Sequence, residues 1–541
     1  MTVVERLAAA VAGALSRLGI DADPSEVHLE RPQRPEHGDF STNAALVLAK
    51  AHGRQPRELA AELAARLDAA RLDDACLDQV EQVEVAGPGF VNFRLSPAWL
   101  HDVLRQVVEE GVDRYGAPQL GNGERVQVEF VSANPTGPLH VGNGWFGSYG
   151  DALARIMART GSLVTREYYV NDTGGQIRQL GESLLARRRG EVVGEGGYQG
   201  EYVTDLAQGY DGPEEVMEAG RFAADRILAN IKETLESMGI EFDEWFSQAS
   251  IEESGKVADT ISCLRERGHV FDEDGAVWLR SSSFGDSRDR VLVKSNGDPT
   301  YLAGDLAYHR NKFLERGFDR VIDVFGADHH GQVASLYAGI EALGVPRDRL
   351  EVRLGQLVSL VGGRMSKRSG HYVALSSLID QLGPDATRFL SLVASIDQAT
   401  TLDLDLVTRQ SAENPVYYLQ YAHARIASIG RVAAERGLER NPLGSASLDR
   451  LSHPRELQLL RDLADLPRVV GEAAVERAPF KVTNWLRQLA ADFHGFYHDC
   501  RIMGEGVEAE VTQARLWLVE ATRVGLAIGL GLLGVHAPEA M

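Results

Sequence analysis

The sequence predicts a multidomain α/β protein: a parallel-sheet domain with an insertion, preceded by a small α+β domain and followed by an all-α bundle. Three observations carry this expectation. The 541 residues leave room for three or four separate cores. A strand–helix–strand succession runs from Arg125 to Asp172, as parallel sheets require. In the last quarter, apolar residues recur three and four apart, the spacing of packed helices. Hydrophobic residues at 44% and charged ones at 25% are those of an ordinary globular chain.

Residues 1–115 form the first expected domain. Its opening run "LAAAVAGAL" lies between Glu5 and Arg17 at helical spacing, which suits an amphipathic helix better than the apolar region of a signal peptide. "EHGDFSTNAALVLAK" leads into a second helix, "PRELAAELAARL" is a third, and "QVEQVEVAGPGFVNFRL" reads as strands. "YGAPQLGNGE" crowds Gly, Pro and Asn together and is expected to be a linker.

Residues 116–400 form the second. "RVQVEFV" alternates apolar with polar, "HVGNGWFGSYGDALARIMART" is helical after a Gly-rich start, and "SLVTREYYVND" is the next strand. Between about 195 and 297 the chain turns helical and acidic, as in "GPEEVMEAGRFAADRILANIKETLESMGI", and this stretch is expected to be an insertion. Sheet-like "RVLVKSNGDPTYLAGDLAYH" and "DRVIDVFGADHHG" then resume. Residues 401–541 are almost wholly helical in pattern. Their apolar tract "VGLAIGLGLLGV" is too short and too Gly-rich to cross a bilayer and is expected to be a buried terminal helix.

A net charge of −22 argues against a basic coat for nonspecific nucleic-acid binding but leaves room for a local basic groove. Cys76, Cys263 and Cys500 lie far apart with no CxxC spacing, so neither a zinc site nor a disulfide framework is expected. A reducing cytoplasm fits that pattern. His329 and His330 are adjacent, point apart and lack an evident third ligand, so no metal site is expected.

Two stretches carry chemistry. "SANPTGPLHVGN", Ser132 to Asn143, joins a strand ending near Val131 to a helix beginning near Gly142. Ligands of parallel sheets bind beyond the carboxyl ends of strands, and a helix N-terminus presents free N–H groups to phosphate. Gly137, Gly142 and Gly144 are expected to let a ligand approach the backbone, with His140 and Asn143 hydrogen-bonding phosphate or ribose. A purely structural Gly-rich turn is the competing reading. The second stretch is "LVGGRMSKRSGHYVAL", Leu360 to Leu375, where Arg364, Lys367 and Arg368 gather three cations in an acidic chain. Such a loop can meet polyphosphate as charge builds in a transition state. Its competing reading is a solvated basic loop, and the two stretches together are more telling than either alone.

In their order and number these stretches make the chain resemble a class I aminoacyl-tRNA synthetase, specifically the arginyl-tRNA synthetases, over essentially its whole length. "SANPTGPLHVGN" resembles the family's His-Ile-Gly-His segment and "RMSKR" its Lys-Met-Ser-Lys-Ser loop. "REYYVNDTGGQI", "GEYVTDLA", "PTYLAGDLAYH", "GADHHG" and "DATRFL" resemble the stretches between them. "SAENPVYYLQYAHARI" and "GLLGVHAPEAM" are similar to the anticodon-binding domain, and "GDFSTNAALVLAK" and "GPGFVNFRL" to the N-terminal domain of this specificity.

The resemblance implies a Rossmann-like catalytic domain and a cytoplasmic, monomeric enzyme. Its implied reaction is ATP-dependent ligation of L-arginine to tRNA(Arg) through arginyl-adenylate, with ATP entering as its Mg2+ complex and AMP and pyrophosphate leaving. It also implies roles. His140, Asn143 and Lys367 are the expected catalytic residues, and Pro138, Gly142, His329 and Met365 join them at ATP. Asn134 and His140 hold the amino and carboxylate ends of arginine, with Asp172 and Gln176 as further candidates. A planar guanidinium calls for a carboxylate plus neutral acceptors. Tyr301 and Asp305, four apart and on one face of a helix, are implied to supply them, with Gln248.

Two positions depart from the family pattern. Asn143 stands where the signature commonly has its second His and can still donate and accept; Gln248 stands where the resemblance implies Glu. Single-stranded tRNA loops are read by stacking and base-edge hydrogen bonds. Tyr421, Arg425, Tyr497 and Met541 are candidates on the anticodon side, although an aromatic stripe at helical spacing is more often packing, and Phe90 and Asn92 resemble D-loop contacts. The alternatives are a non-catalytic tRNA-binding relative and a class I synthetase of another amino-acid specificity.

Overall fold

The computed structural model describes residues 3–32, 34–70, 77–356, 358–360, 374–402 and 414–541. The chain divides into two units, one of residues 1–111, 433–464 and 495–522, the other of residues 112–432, 465–494 and 523–541.

In the first unit, Leu7, Val11 and Leu15 line the buried face of helix α1 (Val3–Ser16), so the N-terminal apolar run is core. Four antiparallel strands follow in the spatial order β1 (Leu29–Glu30), β2 (Phe40–Thr42), β4 (Phe90–Leu95), β3 (Val80–Ala86). Helices α2 (Ala44–Ala49) and α3 (Pro56–Ala70) separate β2 from β3. β4 is interior to this sheet, and both Val91 and Phe93 are fully buried. The next helix, α4 (Ala98–Arg114), is interrupted at Gly111 by a φ of 63°, a left-handed conformation that glycine adopts without steric cost. The division between the units falls there.

The second unit is built on five parallel strands in the spatial order β12 (Leu350–Gly355), β11 (Arg320–Gly326), β5 (Arg125–Glu129), β6 (Leu163–Val170), β7 (Glu244–Ser247). The chain moves outward from β5 through β6 to β7, then returns to the other side of β5 for β11 and β12. Strand order therefore reverses between β5 and β11, and the crevice beyond their carboxyl ends is the place where such sheets bind ligands. Helix α5 (Val141–Arg159) connects β5 to β6, and α6 (Gly175–Arg188) follows β6.

The stretch expected as an insertion needs one correction. It contains helices α7 (Glu201–Gln208) and α8 (Val216–Ser237), but it also returns to the main sheet as edge strand β7. "EWFS" is four residues long and shows no alternation that would separate it from a loop. After α9 (Gln248–Glu253) and α10 (Lys256–Glu266) comes an antiparallel sheet of β8 (Val270–Glu273), β9 (Ala276–Leu279) and β10 (Arg290–Val293). "RVLV" thus belongs to this small sheet, and "YLAGDLAYHR" is helix α11 (Tyr301–Arg310). Leu306 of α11 packs with Leu336 and Ile340 of α12 (His330–Ala342) and with Val321 of β11, all nearly or fully buried.

Helices α13 (Leu375–Leu382) and α14 (Pro384–Ser391) follow, and four long helices, Pro415–Glu435, Pro454–Glu476, Phe480–Asp499 and Ala509–Leu532, complete the described chain. Val524, Leu526, Ile528 and Leu530 are buried, as a terminal core helix requires. Among the described residues no helix is long and apolar enough to cross a membrane.

Candidate active site

The segment after β5 leaves the sheet through two residues in the left-handed region, Val131 at φ 68° and Ser132 at φ 38°. For a β-branched residue this conformation is strained, and such strain persists where surrounding contacts fix it, often at functional sites. Side chains from three elements supply those contacts. Ser132 Oγ donates to Glu129 Oε1 at 3.0 Å and accepts from the Tyr169 N–H at 3.1 Å, while Tyr168 Oη donates to the Ala133 carbonyl at 2.8 Å. Tyr202 of α7 donates from Oη to the Thr136 carbonyl at 2.6 Å. Beside it, Pro138, Tyr202, Asp205, Phe222 and Arg226 line a cavity of about 380 Å³.

His140 then caps α5. Its Nδ1 accepts from the Asn143 N–H at 3.2 Å, and Asn143 Oδ1 accepts from the His140 N–H at 3.0 Å. This is a reciprocal capping box, and it explains how the Asn at this position serves the fold: it satisfies a backbone donor at the helix start. Gly144 has a packing role. A Cβ there would meet Leu375 Cδ1 at 2.5 Å. Ala374 pairs with His140 as an antiparallel bridge, and the Leu375 N–H donates to the Leu139 carbonyl at 2.8 Å. The chain that follows the basic loop is thereby joined to the His140 turn. Arg364, Met365, Lys367 and Arg368 themselves, like Cys76, lie outside the described residues.

Helix α11 is started by Thr300, whose Oγ1 donates to the Val291 carbonyl at 2.9 Å. Tyr301, its first residue, is 82% exposed; Asp305 is one turn later and half-buried. Burial pushes the Asp305 carboxyl up to about 6, with Glu129 and Asp323 adding to the rise and His309 and His329 opposing it. Among the described residues no cation makes an ion pair with it. The Tyr169 hydroxyl is pushed well above its usual range, by burial first and then by Asp305, Glu129, Glu252 and Asp172, which marks these groups as neighbours across one crevice.

The other expected arginine residues are placed as follows. Asn134 is held between side chains, donating from Nδ2 to Gln176 Oε1 at 2.8 Å and accepting at Oδ1 from Asn171 Nδ2. Asp172 is committed to the fold, accepting from Ser247 Oγ and from the Ala249 N–H at 2.9 Å, so it serves the start of α9. Gln248 opens α9 and donates from Nε2 to Glu252 Oε1 at 2.8 Å. His329 is exposed at the start of α12, its ring 5.4 Å from Phe325.

The expected tRNA residues fall in both units. In the first, Tyr497 is exposed and Phe90 half-buried, but Asn92 is only 6% exposed and accepts at Oδ1 from Ser41 Oγ at 2.7 Å. As a residue of interior strand β4, Asn92 is a buried cross-strand partner rather than an exposed contact. In the second, the Arg425 guanidinium lies 4.4 Å from the centre of the exposed Tyr421 ring, and the terminal Met541 is exposed.

Sequence reasoning missed a row of buried carboxylates. Asp323, Glu129 and Glu167 face one another in register across β11, β5 and β6. Lys312 bridges the first two, at 2.9 Å to Asp323 Oδ1 and 2.6 Å to Glu129 Oε2. Arg316 and the Tyr308 hydroxyl both meet Glu167, and His309 Nε2 meets Asp323 Oδ2 at 2.8 Å. Burial pulls the Lys312 ammonium toward the neutral form, but Asp323, Glu129 and Glu167 outweigh it and hold Lys312 above its ordinary range. Each carboxylate of the row is bonded to at least one cation. Asp305, at its edge, has no such bond among the described residues.

Comparison with known proteins gives a consistent neighbourhood. Residues 5–95 match the family described as arginyl tRNA synthetase N terminal domain, residues 201–395 the class I (R) tRNA synthetase catalytic domain, and residues 419–541 the DALR anticodon binding domain. The chain is 44% identical to an arginine–tRNA ligase of Carboxydothermus hydrogenoformans, covering 100% of both chains. It is 45% identical to one of Moorella thermoacetica, covering 99% of this chain and 97% of the other. Among solved structures, the arginyl-tRNA synthetase of Thermus thermophilus is similar at a TM-score of 0.78 and 25% identity over 99% of each chain.

Proposed function

The chain belongs to the arginyl-tRNA synthetases, ATP-using class I enzymes that charge tRNA with arginine, and on that premise we propose how its own residues divide the work. The arginine carboxylate attacks the α-phosphorus of ATP, entering with Mg2+; the bond to pyrophosphate breaks and arginyl-adenylate forms. A hydroxyl of the terminal adenosine of tRNA then attacks the acyl carbon, and AMP leaves. Neither step requires a protein nucleophile, so catalysis rests on positioning and on stabilisation of phosphate charge.

His140 and the N-terminus of α5, with Pro138 and Gly142, receive the ATP phosphates and ribose, the buried Asn143 fixes this turn through its capping box with His140, and His329 borders the nucleotide from the β11 side. Lys367 meets the charge that builds on the phosphates, and Met365 joins it at ATP, as the resemblance implies. Asn134, held by Asn171 and Gln176, takes the amino and carboxylate end of arginine with His140. Asp305 and Tyr301 take the guanidinium, with Gln248 at the rim. Residues 1–115 and 401–541 flank the catalytic domain of residues 116–400 in the sequence and contact the tRNA, the former through Phe90, the latter through Tyr421, Arg425, Tyr497 and Met541. The enzyme acts as a cytoplasmic monomer.

The observation that carries this reading is Asp305: a half-buried carboxylate with no ion-pair partner among the described residues, one turn from Tyr301 and beside a row in which every carboxylate is satisfied. A bound guanidinium supplies the missing charge. A testable pH dependence follows. Without arginine the Asp305 carboxyl keeps its proton below about 6. The guanidinium favours the ionised form, so binding in that range must release a proton. The KM for arginine is expected to be flat above pH 6 and to rise roughly tenfold per pH unit below it. Asp305→Asn should raise the KM by about 30-fold at neutral pH, the value of a charged hydrogen bond, and abolish this dependence. Aminoacylation measured between pH 5 and 8 decides: a KM indifferent to the substitution removes Asp305 from the pocket.

A further inference from the structure

We infer that Lys312 is a positioning residue that fixes the length of the arginine pocket, an inference that rests on the assignment of Asp305 and Asn134 to the two ends of the substrate. Helix α11 does not end by fraying. It widens into a π-helical turn, Asn311–Glu315, and that turn carries Lys312, which is 0% exposed, into the carboxylate row. π turns are rare, and those that occur within α-helices are frequently found at functional sites.

From its ammonium two chains of hydrogen bonds diverge. One passes through Asp323 to His309 Nε2, and from His309 Nδ1 to the Asp305 backbone carbonyl at 2.7 Å. The other passes through Glu129 to Ser132 Oγ, at the start of the segment that carries Asn134. The guanidinium end and the amino-acid end of the pocket therefore lie on separate elements that meet at one buried cation. Their separation is what distinguishes arginine from a guanidino acid one methylene longer, and hydrophobic contact alone discriminates a methylene poorly.

Two variants test this in the full-length enzyme. Lys312→Arg keeps the charge but alters the reach; Lys312→Met combined with Asp323→Asn removes the bridge and leaves the net charge unchanged, with Glu129 losing its cation. In each, the KM for arginine is expected to rise about tenfold or more and the preference for arginine over homoarginine to fall by a similar factor, as for other small misplacements of a bound substrate. The KM for ATP should stay within about twofold, since the effect proposed is confined to the binding of arginine. A purely structural role would lower the unfolding temperature and leave both the preference and the ratio of the two KM values unchanged. That result overturns the inference, as does failure of both variants to fold. Asp305→Asn separates the two levels: no rise in its arginine KM sinks the pocket assignment, whereas a rise there with unaltered Lys312 variants sinks only the role of Lys312.

Discussion

Replacing Lys367 with alanine is expected to slow arginyl-adenylate formation by about a hundredfold or more, the usual consequence of deleting one preorganised stabiliser of transition-state charge. The expectation has a physical footing at the downstream end of the loop. Ala374, just after it, pairs with His140, and Leu375 donates to the Leu139 carbonyl, so that end is anchored at the turn that starts α5. Affinity for tRNA should change by no more than about twofold, since the role proposed for Lys367 is on charge that develops only during the reaction. Single-turnover adenylation and a separate tRNA-binding measurement test the split. Equal rates for both proteins would remove the loop from catalysis.

Arg388→Ala is expected to have the largest effect on stability, a loss of about 3–5 kcal/mol, the range for breaking a buried ion pair from one side. Arg388 is fully buried in α14, and its guanidinium is shared three ways. Nη2 meets the Asp151 carboxylate of α5, Nη1 donates to the Met238 carbonyl at 2.9 Å, and Nε donates to the Leu533 carbonyl at 3.1 Å. Truncation leaves two buried carbonyls without these donors. Asp151 loses one cation but keeps Arg155 at 2.7 Å, which is why the loss should not exceed that range. Gly534 permits this arrangement: a Cβ there would collide with the Arg388 guanidinium, and its φ of +66° is left-handed. Urea unfolding of the two proteins gives the difference directly, and a change below about 1 kcal/mol, the value of an exposed pair, would contradict it.

The features of this molecule that are local in the chain can be read from the sequence alone. The His140 turn and the helical C-terminal part announce themselves in runs of adjacent residues. What stays hidden depends on neighbours far away in the chain. "RVQVEFV" alternates as a half-exposed strand does, yet Gln127 and Glu129 are as buried as Val126 and Val128, because β5 is central and covered on both faces. Lys312 sits in "HRNKFLERG", which reads as a solvated helix end; only the register of β5 against β11 reveals the two carboxylates that receive it. Asn92 looks available in "GFVNF" because pattern alone does not tell which face of β4 meets Ser41. The left-handed Val131 has no signal at all, since β-branched residues are the last that steric rules would place there.

The most direct test is arginine-dependent ATP–pyrophosphate exchange, with and without tRNA(Arg) and with the other amino acids as controls. Exchange with arginine alone among them, appearing when tRNA is present, is the result expected if Asp305 binds the guanidinium and His140 and Lys367 serve the phosphates as proposed. Exchange with a different amino acid, or none with arginine while tRNA still binds, would contradict it.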